Sequence, residues 1–76
     1  MEVPKHIDEK SREFCQRLDE IRKDKKLTQE QLAEKVDVGQ NSLSRMFKGN
    51  FSPRLNFLLV VAEALDHEIV LVPKKH

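Results

Sequence analysis

Residues 27 to 53 read LTQEQLAEKVDVGQNSLSRMFKGNFSP, and this stretch decides the fold. Leu32, Ala33, Val36, Val38, Leu43 and Met46 are apolar, with polar residues almost everywhere between them. That spacing predicts two short amphipathic helices that cross closely, with Ala33 as the small residue at the crossing and Val38 plugging the turn. Thr28 stands before Gln29, Glu30 and Gln31, the pattern of a capping box, so the first of the two helices runs over about 29–36. Asp37 interrupts it. A second helix over about 40–47 follows, closed by Gly49 where a left-handed residue is easiest. Its outward face carries Gln40, Asn41, Ser44 and Arg45, with Ser42 and Lys48 near the edges, and none of these is an acid.

Working outward, Pro4 precedes a stretch in which Ile7, Phe14, Leu18 and Ile21 fall on one stripe, predicting a helix over about 6–25. On the other side, Ser52 reads as a cap and Pro53 as a first helical residue. Leu55, Leu58, Leu59, Ala62 and Leu65 then supply the apolar face of a helix over about 53–65. Phe57, Val60 and Ala64 lie off that face and would be wet in a monomer, unless the helix is buried all round. The segment from Glu68 to Val72 is rich in β-branched residues and ends at Pro73, which predicts a strand over about 68–72. No other segment reads as β, so its simplest hydrogen-bonding neighbour is the same strand of a second subunit. A tail without structure or a fifth helical turn is the alternative reading. In the dimer, Phe57, Val60, Ala64, Ile69, Val70, Leu71 and Val72 would form one surface.

The chain has 76 residues, 36% of them charged and 38% hydrophobic, which predicts a single domain over residues 1–76 with no room for a large catalytic cleft. Cys15 is the one cysteine, and His6, His67 and His76 are scattered, so neither an internal disulfide nor a metal site is expected. No cofactor is implied. His67 between Asp66 and Glu68 is the nearest approach to a catalytic group and reads better as a polar join, so an enzyme is not expected. No apolar run reaches the ~20 residues that span a bilayer, and no signal peptide is evident, which predicts a cytoplasmic protein with no membrane partner. Net charge is only +1, but it is unevenly placed. Residues 1–37 hold ten acids and nine bases, whereas from Val38 to Ala62 there is no acid at all, and Arg45, Lys48 and Arg54 remain. A polyanion can approach that segment without repulsion.

The quoted stretch resembles the helix-turn-helix of the Cro/cI-type (lambda-repressor-like) transcriptional regulators, with the likeness covering roughly residues 17–65. The resemblance implies a mainly α fold, a lambda-repressor-like bundle of four helices, to which the sequence adds the C-terminal strand pairing across a dimer. It also implies double-stranded DNA as partner, with the third helix in the major groove of a palindromic operator. Position by position, Gln40 and Asn41 match base readers, and Ser44 and Arg45 match positions that contact bases or backbone. Gln29 matches a phosphate-holding glutamine, Arg22 an arginine near the backbone, and Ser42, Lys48, Asn50 and Arg54 the flanks of the sugar-phosphate chain. The side-chain chemistry agrees, since Gln and Asn bond bidentately to adenine and Arg to guanine.

The sequence departs from the family pattern at three positions. Asp37 stands where the family prefers glycine, Gly39 where Ser or Thr often caps the third helix, and Phe47 where many members carry a glutamate that pairs with the arginine matched by Arg22. The last departure predicts an Arg22 freed for phosphate. The ending ALDHEIVLVPKK is similar to that of HipB-type antitoxins, which implies a subunit-joining strand and a protein toxin as a further partner. Two functions thus compete at this point: a homodimeric repressor, and a protein-interaction module on the same fold.

Overall fold

The computed structural model describes residues 2–49 and 51–75, in which four helices follow one another: α1 Lys5–Asp24, α2 Gln29–Val36, α3 Gln40–Lys48 and α4 Leu55–Ala64. Asn50, Met1 and His76 lie outside the described residues. α1 packs on α3, while α2 packs on both α3 and α4. The interior is built from Cys15 and Leu18 of α1, Leu32 and Ala33 of α2, Leu43, Met46 and Phe47 of α3, and Val61, Ala62 and Leu65 at the end of α4. Val36 and Val38 close the α2–α3 corner from its edge.

The local chemistry at the start of α2 follows the predicted capping box. The Gln31 amide donates to Thr28 Oγ1 at 3.0 Å, and the Thr28 amide donates to Gln31 Oε1 at 2.9 Å. At the other end Asp37 takes up the left-handed conformation (φ 54°, ψ 48°), so that its amide and that of Val38 both donate to the Ala33 carbonyl. A left-handed non-glycine residue costs roughly 1–2 kcal/mol, with Asp among the more tolerant types. Asp37→Gly is therefore expected to stabilise the domain by up to about 1 kcal/mol, read as a rise in the urea midpoint with an unchanged slope. A fall in the midpoint would mean that the Asp37 side chain contributes something this turn geometry does not explain. α3 starts at Gly39, which is extended and offers no side-chain cap, and ends at Gly49 (φ 76°).

Three expectations are corrected. The helix over 53–65 begins later, at Leu55, because Arg54 is still extended (ψ 152°) and is itself the N-cap. Ser52 therefore caps nothing and Pro53 is not the first helical residue; both belong to the connection from Gly49. The stripe expected on α1 is only half right, since Leu18 is buried and Ile21 half-buried while Ile7 and Phe14 are exposed, and Cys15 takes the core position instead. For Ile7 the reason is length, since 20 helical residues span about 30 Å and the three shorter helices of eight to ten residues cover only part of that. Phe14, next to the buried Cys15, instead lines a groove with Ala62, Ile69 and Val70. On α4 the buried positions are Val61, Ala62 and Leu65, so Leu55 and Leu59, expected inside, are exposed. Phe57 and Ala64, expected outside, pack against the core edge.

Residues 68–72 form no strand within the single chain, and no strand occurs among the described residues. Ile69 rests on the core, while Val70, Leu71 and Val72 project from it, Leu71 with complete exposure. No described helix is long and apolar enough to cross a membrane.

Candidate nucleic-acid interface

The α3 helix is anchored along one side by Leu43 and Met46, which have no exposed surface, and by Phe47. Residues on the opposite side are consequently held at fixed positions on a rigid element. Gln40 and Asn41 are exposed on the first turn, Ser44 is half-buried on the second, and Arg45 and Lys48 are exposed on the second and third. Ser42 is half-buried at the edge facing the bundle. Gly39 offers no side-chain cap to the first turn, where the Ser42 and Leu43 amides donate to the Gly39 carbonyl.

Around this face, Gln29 is half-buried at the first position of α2, and Arg54 is exposed at the N-cap of α4. Among the described residues no carboxylate pairs with Arg45, Lys48 or Arg54. The sequence supplies the cause, since the chain has no acid between Asp37 and Glu63. The result is a surface of amides, hydroxyls and unpaired cations, a set that can donate to phosphate oxygens and to base edges. Asn50, assigned to the same flank, lies outside the described residues.

Arg22 does not join the surface. It is buried at 9% exposure, with Nη2 2.8 Å and Nε 2.9 Å from Asp19 Oδ1, and it donates from Nη1 to the Leu27 carbonyl at 2.6 Å. Its guanidinium lies over the Phe47 ring, 5.6 Å from the centroid. Replacing a carboxylate by an aromatic ring at position 47 therefore does not free Arg22 for phosphate. The ring becomes its stacking partner, and Asp19, one turn back on α1, takes over the ionic role.

Sequence reasoning missed one neighbour of the face. Phe51 is half-buried against the core, and the Arg45 guanidinium lies over its ring, 5.1 Å from the centroid. The available signal was an aromatic residue just past the helix-closing Gly49, in a segment otherwise polar. Cys15, by contrast, is a packing residue: it is buried, and burial raises its thiol above the ordinary value, so it stays protonated at neutral pH.

The residues assigned to a second surface divide. Val60, Val70, Leu71 and Val72 are exposed, whereas Phe57, Ala64 and Ile69 are half-buried against the core. Leu55 and Leu59 add further exposed apolar area on α4.

A helix-turn-helix family model matches residues 18–69, and the chain belongs to this helix-turn-helix family. It is 38% identical over 66 residues to an uncharacterized HTH-type transcriptional regulator, y4dL, of Sinorhizobium fredii, a match covering 87% of this chain and 34% of that protein. It is 40% identical over 53 residues to the uncharacterized HTH-type transcriptional regulator YobD of Bacillus subtilis, covering 70% of this chain and 47% of that protein. It is 41% identical over 54 residues to the immunity repressor protein of Bacillus phage phi105, covering 71% of this chain and 38% of that protein. The chain thus spans about a third to a half of the length of these relatives. No solved structure matches it significantly.

Proposed function

We propose that the chain is a sequence-specific, double-stranded DNA-binding regulator that acts as a repressor, inserting α3 into the major groove as one half of a homodimer. The observation that carries this reading is the outward face of α3: Gln40, Asn41 and Arg45 exposed on a core-anchored helix, in a stretch of chain without acids. Gln40 and Asn41 read bases, Ser44 and Arg45 contact bases or backbone, and Gln29, Ser42, Lys48, Asn50 and Arg54 hold the sugar-phosphate chain. Likeness to a phage immunity repressor supports the sense of regulation.

The dimer reading is supported by the exposed apolar residues of two segments, Leu55, Leu59 and Val60 on α4 and Val70, Leu71 and Val72 after it, which cost free energy while they stay wet. In this reading residues 68–72 of two copies pair as an antiparallel ribbon, which gives their amides and carbonyls partners that a single chain does not provide.

Selection of bound sequences from a random duplex pool at physiological salt tests the function, because nonspecific phosphate binding is weak there and base readout dominates. An inverted repeat with half-sites about one helical turn apart is the expected result. No enrichment by folded protein would overturn the reading. Within a selected site, Gln40→Ala is expected to cost about 1–3 kcal/mol at its own base pair and to relax preference there. Lys48→Ala should weaken all sequences alike and lower the salt slope by about 1. Equal losses on every sequence for Gln40→Ala would remove it from the base readers.

A further inference from the structure

Two arginines of this small domain lie over phenylalanine rings, and they differ in what their hydrogen-bond donors do. Arg22 over Phe47 is buried and saturated by Asp19 and the Leu27 carbonyl. Arg45 over Phe51 is exposed, and among the described residues it has no hydrogen-bonded acceptor and no carboxylate partner. A guanidinium held over a ring without an acceptor keeps its forked donors available to a pair of acceptors.

The anchor is on the other partner. Gly49 turns the chain back in the left-handed conformation, and Phe51 then rests half-buried against the core. Its ring is therefore a fixed platform for a flexible side chain that belongs to the outward face of α3. We infer that Phe51 is a positioning residue that holds the Arg45 guanidinium edge-on to the groove before DNA arrives, so that Arg45 reads a paired acceptor edge without first having to be ordered. This inference rests on the DNA-binding reading above. Preorganisation of this kind raises affinity by reducing the ordering cost of binding, and it adds no contact between Phe51 and DNA.

Two acceptor pairs fit a fixed guanidinium fork: the O6 and N7 of guanine, and the oxygens of a phosphate. Binding to the selected site is measured for the wild type, Phe51→Leu, Phe51→Tyr, Arg45→Ala and the double variant Phe51→Leu/Arg45→Ala. Leucine keeps apolar volume against the core and removes the ring face; tyrosine keeps the face. Phe51→Leu is expected to weaken binding about 2- to 5-fold, the worth of an exposed cation–π contact, and Phe51→Tyr to bind like the wild type. In the Arg45→Ala background the Phe51→Leu loss should vanish. A merely structural role would leave that loss unchanged in both backgrounds, and either this additivity or wild-type binding by Phe51→Leu overturns the inference.

Salt and sequence dependence then separate the two acceptors. A loss confined to sites with guanine at one position assigns the base edge, while a uniform loss with a lower salt slope assigns phosphate; both require a positioned Arg45. The stack itself is read without DNA from the side-chain proton resonances of Arg45. Ring-current shifts that disappear in Phe51→Leu are expected in the free protein, and their absence from the wild type would overturn the inference even where DNA binding stands. If the wild type binds no DNA while those shifts are present, the functional reading fails and Phe51 is left without a groove to serve, which overturns the inference as well.

Discussion

Leu43→Ala is expected to destabilise the domain by about 2–5 kcal/mol, the range for a buried leucine truncated where its surroundings relax only in part. Leu43 has no exposed surface and sits on α3, the helix that packs on both α1 and α2. A core of this size supplies roughly 3–5 kcal/mol, so the loss matches the whole margin and a large fraction of the variant should be unfolded at 25 °C. Urea or thermal unfolding followed by helical circular dichroism reads this directly. Glu34→Ala serves as the control, because Glu34 is exposed on α2 and makes no ion pair with a described residue, so its removal should change stability by no more than about 0.5 kcal/mol. DNA binding should follow the folded fraction, so that saturating specific duplex restores the helical signal by mass action. A Leu43→Ala variant as stable as the wild type would mean that α3 is not held by the core, and the rigid presentation of Gln40, Asn41 and Arg45 would lose its basis.

The parts of this fold that were legible in the sequence are those in which neighbouring residues decide the outcome. The capping box at Thr28 and Gln31, the interruption at Asp37 and the glycine closure at Gly49 each need only a few consecutive positions, and each is present. The outward face of α3 was legible for the same reason, since its apolar positions Leu43, Met46 and Phe47 recur at spacings of three and four with polar residues at all the others. α4 is different: LNFLLVVAEA is apolar around most of its circumference, so spacing does not choose the inner side, and Val61 took the buried position while Leu55 and Leu59 did not. Ile7 and Phe14 keep the right period on α1 but stay outside the interior, Phe14 in a groove it lines with Ala62, Ile69 and Val70. The two stacked arginines lay beyond any pattern reading. Whether Arg22 meets Phe47, or Arg45 meets Phe51, depends on how α1 crosses α3 and where the chain travels after Gly49. Those are tertiary facts: they put Arg22, expected at the surface, in the interior, and set Phe51 beside Arg45.

Arg22→Ala should separate an interior role from a surface one. The arginine ties three elements together: Asp19 on its own helix, the Leu27 carbonyl in the α1–α2 connection, and the Phe47 ring on α3. Removing it leaves Asp19, whose side chain is only 20% exposed, with Lys23 at 3.5 Å as its remaining cation, and leaves the Leu27 carbonyl without this donor. Breaking a buried pair in this way costs about 3–5 kcal/mol, and the partial access of Asp19 to water places the expected loss at the lower end, about 3 kcal/mol. Arg22→Lys should recover little, because a single ammonium cannot fork between Asp19 and Leu27 while stacking on the ring. The functional readout points the other way. If Arg22 held phosphate, as its matched position in the family implies, folded Arg22→Ala would bind DNA more weakly with a salt slope lower by about 1. The interior position predicts an unchanged slope, with binding reduced only in proportion to the unfolded fraction. A lowered slope at full folding would return Arg22 to the interface and would mean that its contacts with Asp19, Leu27 and Phe47 open when DNA binds.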